Sequence, residues 1–247
     1  MDRDTLISLF QGTGVRAEGI YEAQRIAKGC AAALKDYIRP GMTREQIHDF
    51  AGEWMTEAGS DSWWIKNDPA LVLFGDLTTY SAHESPDALF VGRTVSENDL
   101  ITVDLAPCVR GGWGDYTRSY FLKDGVPVEA DETGDSELAE GMALERLLHR
   151  SMLEFTDRST TFSQLHAFTE ELLRRHGYHN CDYHGNFGHT IENDQKDRVT
   201  IIPEEHRCIF EYGKPITYEP HICKDGGRWG LKMENMYTFL DGKLVEI

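Results

Sequence analysis

Two aspartates, Asp104 and Asp115, stand eleven residues apart between two short apolar runs, residues 100–103 and 120–122. Both runs are rich in β-branched and aromatic residues and read as strands. Residues 110–114, with three glycines, read as the turn of an antiparallel hairpin, because adjacent glycines supply the positive φ that tight turns need. Such a hairpin sets the two carboxylates side by side, and two anions that close repel unless a proton or a metal ion holds them. His189 lies in a glycine-bearing stretch, residues 185–192, where backbone can approach a ligand closely. Glu219 and Glu234 each interrupt an apolar, strand-like run. Either glutamate alone reads equally well as the solvent side of an alternating strand. The five together form a hard, oxygen-rich set suited to a pair of divalent ions such as manganese, iron, cobalt or zinc. Thiolate ligation needs closely spaced cysteines, and this sequence has none.

The series resembles the ligands of the pita-bread metallohydrolases, the superfamily of methionine aminopeptidase, aminopeptidase P, prolidase and creatinase. Asp104, Asp115, His189, Glu219 and Glu234 follow that family's order, with the first spacing matched. Residues 110–118 are similar to its Asp-Gly-x-Gly-Asp-x-(Thr/Ser)-(Arg/Lys) phrase, and Thr217-Tyr218-Glu219-Pro220 to its Thr-x-Glu-Pro phrase. The resemblance covers roughly residues 21–247. It implies an α+β pita-bread fold: a pseudo-twofold duplication of helix pairs and antiparallel strands, with a curved sheet and the helices outside it. It also implies two divalent ions, bridged by Asp115 and Glu234 and sharing a hydroxide. Asp104 would complete the shell of one ion, and His189 and Glu219 that of the other. Glu219 would also carry the proton to the leaving nitrogen. His83, upstream of Asp104, would face the substrate and donate to the oxyanion, with a surface-loop histidine as the plain alternative.

One ambiguity and one departure accompany the resemblance. His184-Gly185 is similar to a His-Gly phrase that precedes the metal histidine in aminopeptidase P and prolidase, so a second alignment makes His184 the ligand and His189 the substrate contact. Family peptidases also carry a His-Glu or His-Asp pair some seven residues after the metal histidine. Here residues 190–197 contain no histidine. Either His184 or His221 replaces that group in space, or the chemistry is not ordinary peptide hydrolysis.

The elements that must position these groups show an internal echo. Residues 43–50 recur as residues 161–168 at an offset of 118, each copy preceded by an apolar-periodic stretch and followed at equal distance by a glycine, Gly59 or Gly177. Thr43 with Gln46, and Thr161 with Gln164, have the capping-box spacing. An offset of about half the chain points to duplication, with repeats over about residues 21–122 and 142–247. Helices are expected over residues 21–38, 43–58, 142–155 and 161–175, and strands over 71–74 and 89–91. Residues 1–20 are a poorly patterned lead-in, and 126–136 a solvated connection. Trp63 and Trp64, in a loop over residues 61–69, read either as core filling or as a wall of the substrate pocket, with His221 opposite. The equivalent histidines His48 and His166 read as packing or surface residues.

Composition points to one soluble domain spanning 1–247, which the resemblance makes a catalytic domain. The 247 residues are 40% hydrophobic, enough for a substantial single core. No apolar run reaches a membrane span, and the N-terminus lacks a signal-peptide pattern. The formal charge of −17 disfavours nucleic acid and anionic membrane. It also favours a neutral or cationic substrate. The five cysteines, Cys30, Cys108, Cys181, Cys208 and Cys223, read as free thiols of a reducing cytosol. Lacking the large N-terminal domain of aminopeptidase P and prolidase, the pocket is expected to be open on one side unless a homodimer closes it. The expected function is a dinuclear metal-dependent aminopeptidase or dipeptidase, Xaa-Pro-aminopeptidase-like, acting on short peptides. The alternatives are a repurposed enzyme for a small amide or guanidino compound, and a non-catalytic binding module.

Overall fold

A computed structural model describes residues 1–65, 68–81 and 87–247. The first half runs α1 (Arg3–Leu9), α2 (Ala17–Tyr37), α3 (Arg44–Glu57), β1 (Ser62–Trp63), β2 (Ala70–Phe74), β3 (Asp99–Leu105), β4 (Pro107–Val109), β5 (Gly112–Trp113), β6 (Tyr116–Lys123) and β7 (Val126–Val128). The second half runs α4 (Ser136–Phe155), α5 (Phe162–His176), β8 (Tyr178–Asn180), α6 (Ile209–Tyr212), β9 (Ile216–Tyr218), β10 (His221–Lys224), β11 (Gly230–Lys232), β12 (Asn235–Leu240) and β13 (Lys243–Glu246). Every ladder between strands is antiparallel.

Both capping boxes form. The Thr43 and Thr161 hydroxyls accept from the Gln46 and Gln164 amides, and each glutamine side chain accepts in return from its threonine's N–H. This satisfies donors that would otherwise be orphaned at the start of α3 and α5. Helices α2 and α3 bury their apolar stripes with β2, β3 and β6 in one core cluster that includes Ile26, Leu34, Ile47, Val72 and Val103. A second cluster joins α4 and α5 to β8–β13 through Leu148, Phe162, Phe187, Tyr218 and Leu231.

The halves meet, among other places, along a seam beside the ligand candidates. There the Glu234 N–H donates to the Thr117 carbonyl (3.1 Å), and Ser119 Oγ donates to the Lys232 carbonyl (2.9 Å) while accepting from the Lys232 N–H (3.1 Å). Residues 117–119 of β6 thus lie beside residues 232–234, which brings the ligands of one half against those of the other.

Several expectations change. The lead-in holds α1, capped by Asp2 and anchored by fully buried Leu6. Helix α4 begins six residues early, capped by Asp135, because an acidic, glycine-bearing composition masks its first turns. The connection over 126–136 contains edge strand β7 on β6. Residues 87–90 form a 3-10 turn instead of a strand, and Val91 is left exposed. The thiol assignment also fails for one pair: Cys181 and Cys223 form a disulfide, while Cys30, Cys108 and Cys208 are free. The pairing β8–β10 brings these two cysteines to a Cα separation of 6.2 Å across 42 residues of sequence, a proximity that spacing alone does not reveal. No helix among the described residues is long and apolar enough to cross a membrane.

Candidate metal centre

Strands β3 and β6 pair from Asp99 opposite Leu122 to Leu105 opposite Tyr116, so Asp104 faces Thr117 and Asp115 lies one residue beyond the ladder. The expected single turn is a second, smaller hairpin. Strands β4 and β5 pair around Arg110 and Gly111, which take φ of 50° and 72°. Gly114 has a different role. A Cβ there would lie 2.6 Å from the Ala23 carbonyl carbon, so its missing side chain lets α2 sit directly on the chain. From α2 the Gln24 amide grips the next residue at both ends: its Nε2 donates to the Asp115 carbonyl (3.1 Å) and its Oε1 accepts from the Asp115 N–H (2.9 Å).

One carboxylate oxygen each from Asp104, Asp115 and Glu234 lies within 4.8 Å of the other two, and all three residues are buried. His189 Nε2 is 3.3 Å from Asp115 Oδ2 and 3.8 Å from Glu219 Oε1. All five expected ligands therefore converge. Gly188 sets the histidine's approach. A Cβ at Gly188 would overlap the Thr217 carbonyl, so the glycine makes room for backbone and not, as anticipated, for a ligand. The His189 N–H donates to Thr217 Oγ1 (3.0 Å), and Nδ1 lies 3.0 Å from the Thr190 carbonyl, which leaves Nε2 facing the carboxylates.

The residues fit divalent ions. Asp104 Oδ1 and Glu234 Oε1 are buried without a hydrogen-bond partner, and Asp115 Oδ2 has only the His189 ring beside it, at 3.3 Å. Orphaned buried anionic oxygens are costly, and hard cations are the ligands such oxygens suit. Without metal the cluster offsets its charge in two ways. Burial pushes the Asp115 carboxyl up to about 7 although His189 pulls it down, and burial with the neighbouring Asp115, Glu219 and Asp104 charges carries Glu234 well above the carboxylate range. Glu219 goes the other way: burial would raise it, but Lys232 and then His189 hold it at about 2.

Lys232 went unnoticed in the sequence. Its Nζ lies 2.9 Å from Asp104 Oδ2, 2.8 Å from Glu219 Oε2 and 3.9 Å from Asp182 Oδ2, with the side chain 11% exposed. A signal existed, since Lys232 and Glu234 alternate along an extended segment and so share a face. Thr117 Oγ1 donates to Glu234 Oε2 (2.8 Å), and Asn186 Nδ2 to Glu219 Oε1 (3.2 Å).

Above the carboxylates lies a cavity of about 300 Å³ whose lining includes Trp64, Asp104, Asp115, His184, Arg198 and Glu219. Trp64 stacks on Trp113 at 4.9 Å, meets the His189 ring edge-on at 5.2 Å, and donates from Nε1 to the Gly114 carbonyl. Trp63 is half-buried against the first-half core. His184 is exposed at the rim. His221 is 2% exposed; its Nε2 is 2.7 Å from the Thr78 carbonyl, and it borders a small recess beside Lys232, apart from the main cavity. His83 lies outside the described residues. Among the described residues Arg198 has no carboxylate partner; its guanidinium lies 5.3 Å from the Trp64 ring. No periodicity or phrase in the sequence singled it out. His48 and His166 are packing residues, bound to Asp68 and to the Gly185 carbonyl.

The sequence model of metallopeptidase family M24 matches residues 18–239. The comparison with curated proteins finds no significant match. Among solved structures, the X-Pro aminopeptidase of Thermotoga maritima MSB8 superposes with a TM-score of 0.78 at 18% identity, over 100% of this chain and 64% of that one. The Xaa-Pro dipeptidase of Bacillus anthracis gives 0.75 at 17%, over 98% and 60%. The prolidase of Pyrococcus furiosus gives 0.72 at 18%, over 93% and 62%. These likenesses show a shared pita-bread fold, and the chain spans less than two thirds of each of these relatives.

Proposed function

The chain belongs to metallopeptidase family M24, and from that premise we propose that it is a dinuclear metal-dependent aminopeptidase or dipeptidase for short peptides, Xaa-Pro peptides first among them. The observation that carries the proposal is the buried trio of carboxylates on Asp104, Asp115 and Glu234, of which Asp104 and Asp115 line a small cavity together with His189 and Glu219. Those five residues would hold two divalent ions of the manganese, iron, cobalt or zinc class, which supply Lewis acidity and lower the pKa of water.

The chain's own groups complete the reading. Lys232 aligns Asp104 and Glu219, and Thr117 aligns Glu234. Glu219, held ionised by Lys232 and His189, is in the form that accepts a proton and returns it to a leaving nitrogen. His184 at the rim is placed to touch substrate, and Trp64 forms one wall. Arg198 is the group suited to a peptide's terminal carboxylate, which it would hold by charge-assisted hydrogen bonds. It refines the expectation drawn from net charge: the whole chain repels anions, but one corner of the cavity attracts them.

The test is metal analysis after reconstitution, with kcat/KM on a panel of dipeptides and their C-terminal amides. About two ions per chain and chelator-sensitive turnover are expected. Fewer than half an ion under every condition refutes the dinuclear reading. Arg198→Met should raise KM for free dipeptides about tenfold or more and leave the amides unchanged.

A specific observation favours one second reading, a small non-peptide amide or guanidino substrate. The only histidine of the 181–200 segment besides His189 is exposed at the rim, so no imidazole there stands deep in the cavity as in the expected peptidase pattern. Turnover of such amides without dipeptide turnover would select it.

A further inference from the structure

Cys181 and Cys223 lie beside the cavity, not within it. Cys181 directly precedes residues 182–186, of which Asp182, Tyr183, His184 and Asn186 line the cavity. Cys223 lies in β10, four residues after Glu219. The disulfide therefore ties the start of the substrate-facing loop to the strand that follows a metal-ligand position.

The loop's other end is held well. Phe187 is fully buried, Asn186 Oδ1 accepts from the Gly188 N–H (2.8 Å), and Asn186 Nδ2 donates to Glu219. Its start rests on the three-residue strand β8, the Cys181 N–H bond to the His221 carbonyl (2.7 Å), the Asp182 N–H bond to Asn180 Oδ1 (2.8 Å), the Asp182 carboxylate facing Ser81 and Lys232, and the disulfide. Between them the loop passes through His184 and Gly185, with φ of 52° and 68°.

The surroundings of the disulfide suit exchange chemistry. One ring nitrogen of exposed His179 and both cysteine sulfurs all lie within 4.8 Å of one another. His179 Nδ1 is paired with Asp225 Oδ1 at 2.9 Å. A carboxylate-paired imidazole beside a half-buried Cys181 is a proton carrier where a thiol would attack.

We propose that Cys181–Cys223 is a reversible thiol–disulfide exchange site whose oxidised form holds the 182–186 loop in its substrate-binding position. A small dithiol supplies the electrons. Its first thiol gives a proton to His179 and attacks Cys181 Sγ; Cys223 Sγ leaves and takes a proton back. Its second thiol then displaces Cys181 Sγ, which takes that thiol's proton. The net result is two cysteine thiols and one cyclic disulfide of the reductant. Reduction removes the covalent tie at the start of the loop, leaving its hydrogen bonds, and leaves the five candidate ligand positions in place. Only the kinetic part of the proposal rests on the peptidase reading.

The experiment compares metal-loaded wild-type protein, oxidised and dithiol-treated, with the Cys181→Ser/Cys223→Ser double variant. Alkylation and mass spectrometry should find labels at Cys181 and Cys223 only after dithiol. Amide exchange in residues 181–186 should be about tenfold faster in the reduced protein and in the double variant. KM for a dipeptide should rise severalfold in both, with metal content unchanged, and the double variant should not respond to dithiol. His179→Ala should slow reduction of the disulfide without loosening the loop. Equal exchange rates in oxidised and reduced protein, or alkylation of both cysteines without reductant, would overturn the proposal. If no peptide is turned over, labelling and exchange still decide this site, and only the peptidase reading falls.

Discussion

Replacing Lys232 by methionine keeps the chain length and removes the ammonium that lies 2.9 Å from Asp104 Oδ2 and 2.8 Å from Glu219 Oε2. Four carboxylates then face His189 with no fixed cation. Removing one partner of a buried ion pair costs ~3–5 kcal/mol, because the surviving charges stay desolvated and uncompensated. At roughly 2–4 °C per kcal/mol for a chain of this size, the metal-free variant should melt about 10 °C below wild type. Divalent ions supply the missing positive charge, so saturating metal should close at least half of that gap. Lys232→Arg, which keeps the charge, should lose much less. The assay is thermal unfolding of the three proteins in chelator and in excess manganese, cobalt or zinc. An equal deficit with and without metal would mean that Lys232 contributes only packing, and no deficit in chelator would refute its role in balancing the cluster.

Three further outcomes are expected. His189→Ala should lose metal while His184→Ala keeps it and loses turnover, as read by metal content and kcat; the reverse would restore the alternative alignment in which His184 is the ligand. Gln24→Ala, although it removes no ligand, should weaken metal affinity about tenfold by releasing Asp115, which titration calorimetry would detect. Glu145 in α4 is fully buried, neither of its carboxylate oxygens has a partner, and burial raises its pKa well above 4.5. The folded chain therefore holds a proton that the unfolded chain releases above about pH 4.5. Stability should fall by about 1.4 kcal/mol per pH unit as pH rises from there toward the raised value. Urea midpoints in chelator across pH 5–8 should show a shallower decline for Glu145→Gln than for wild type, and parallel curves would refute the assignment.

How far the sequence could be read depends on the kind of signal each residue carried. The residues that converge on Asp104, Asp115 and Glu234 and both capping boxes were legible because each is a local phrase or a fixed order. Trp64 was legible as a pocket wall, while its neighbour Trp63 packs half-buried against the core. Arg198, Gln24 and the Cys181–Cys223 pair act through partners that the chain brings together only in three dimensions, so no spacing marked them. Residues 89–91 misled because a short apolar run does not distinguish a strand from a 3-10 turn.

The contact between α2 and the segment from Gly112 to Asp115 bears on how function is carried from one chain to another. The Gly-rich phrase before Asp115 looks like a chemical signature, yet Gly114 is small because a helix backbone rests on it, and Asp115 is aimed by Gln24 some ninety residues upstream. A designer who grafted the phrase without that helix would transplant the ligands and lose their bearing. A chain with every ligand intact but a bulkier residue at position 114 or an apolar one at position 24 would read as an enzyme and bind metal poorly. Judging whether a distant relative is active therefore requires reading the helix face together with the carboxylates.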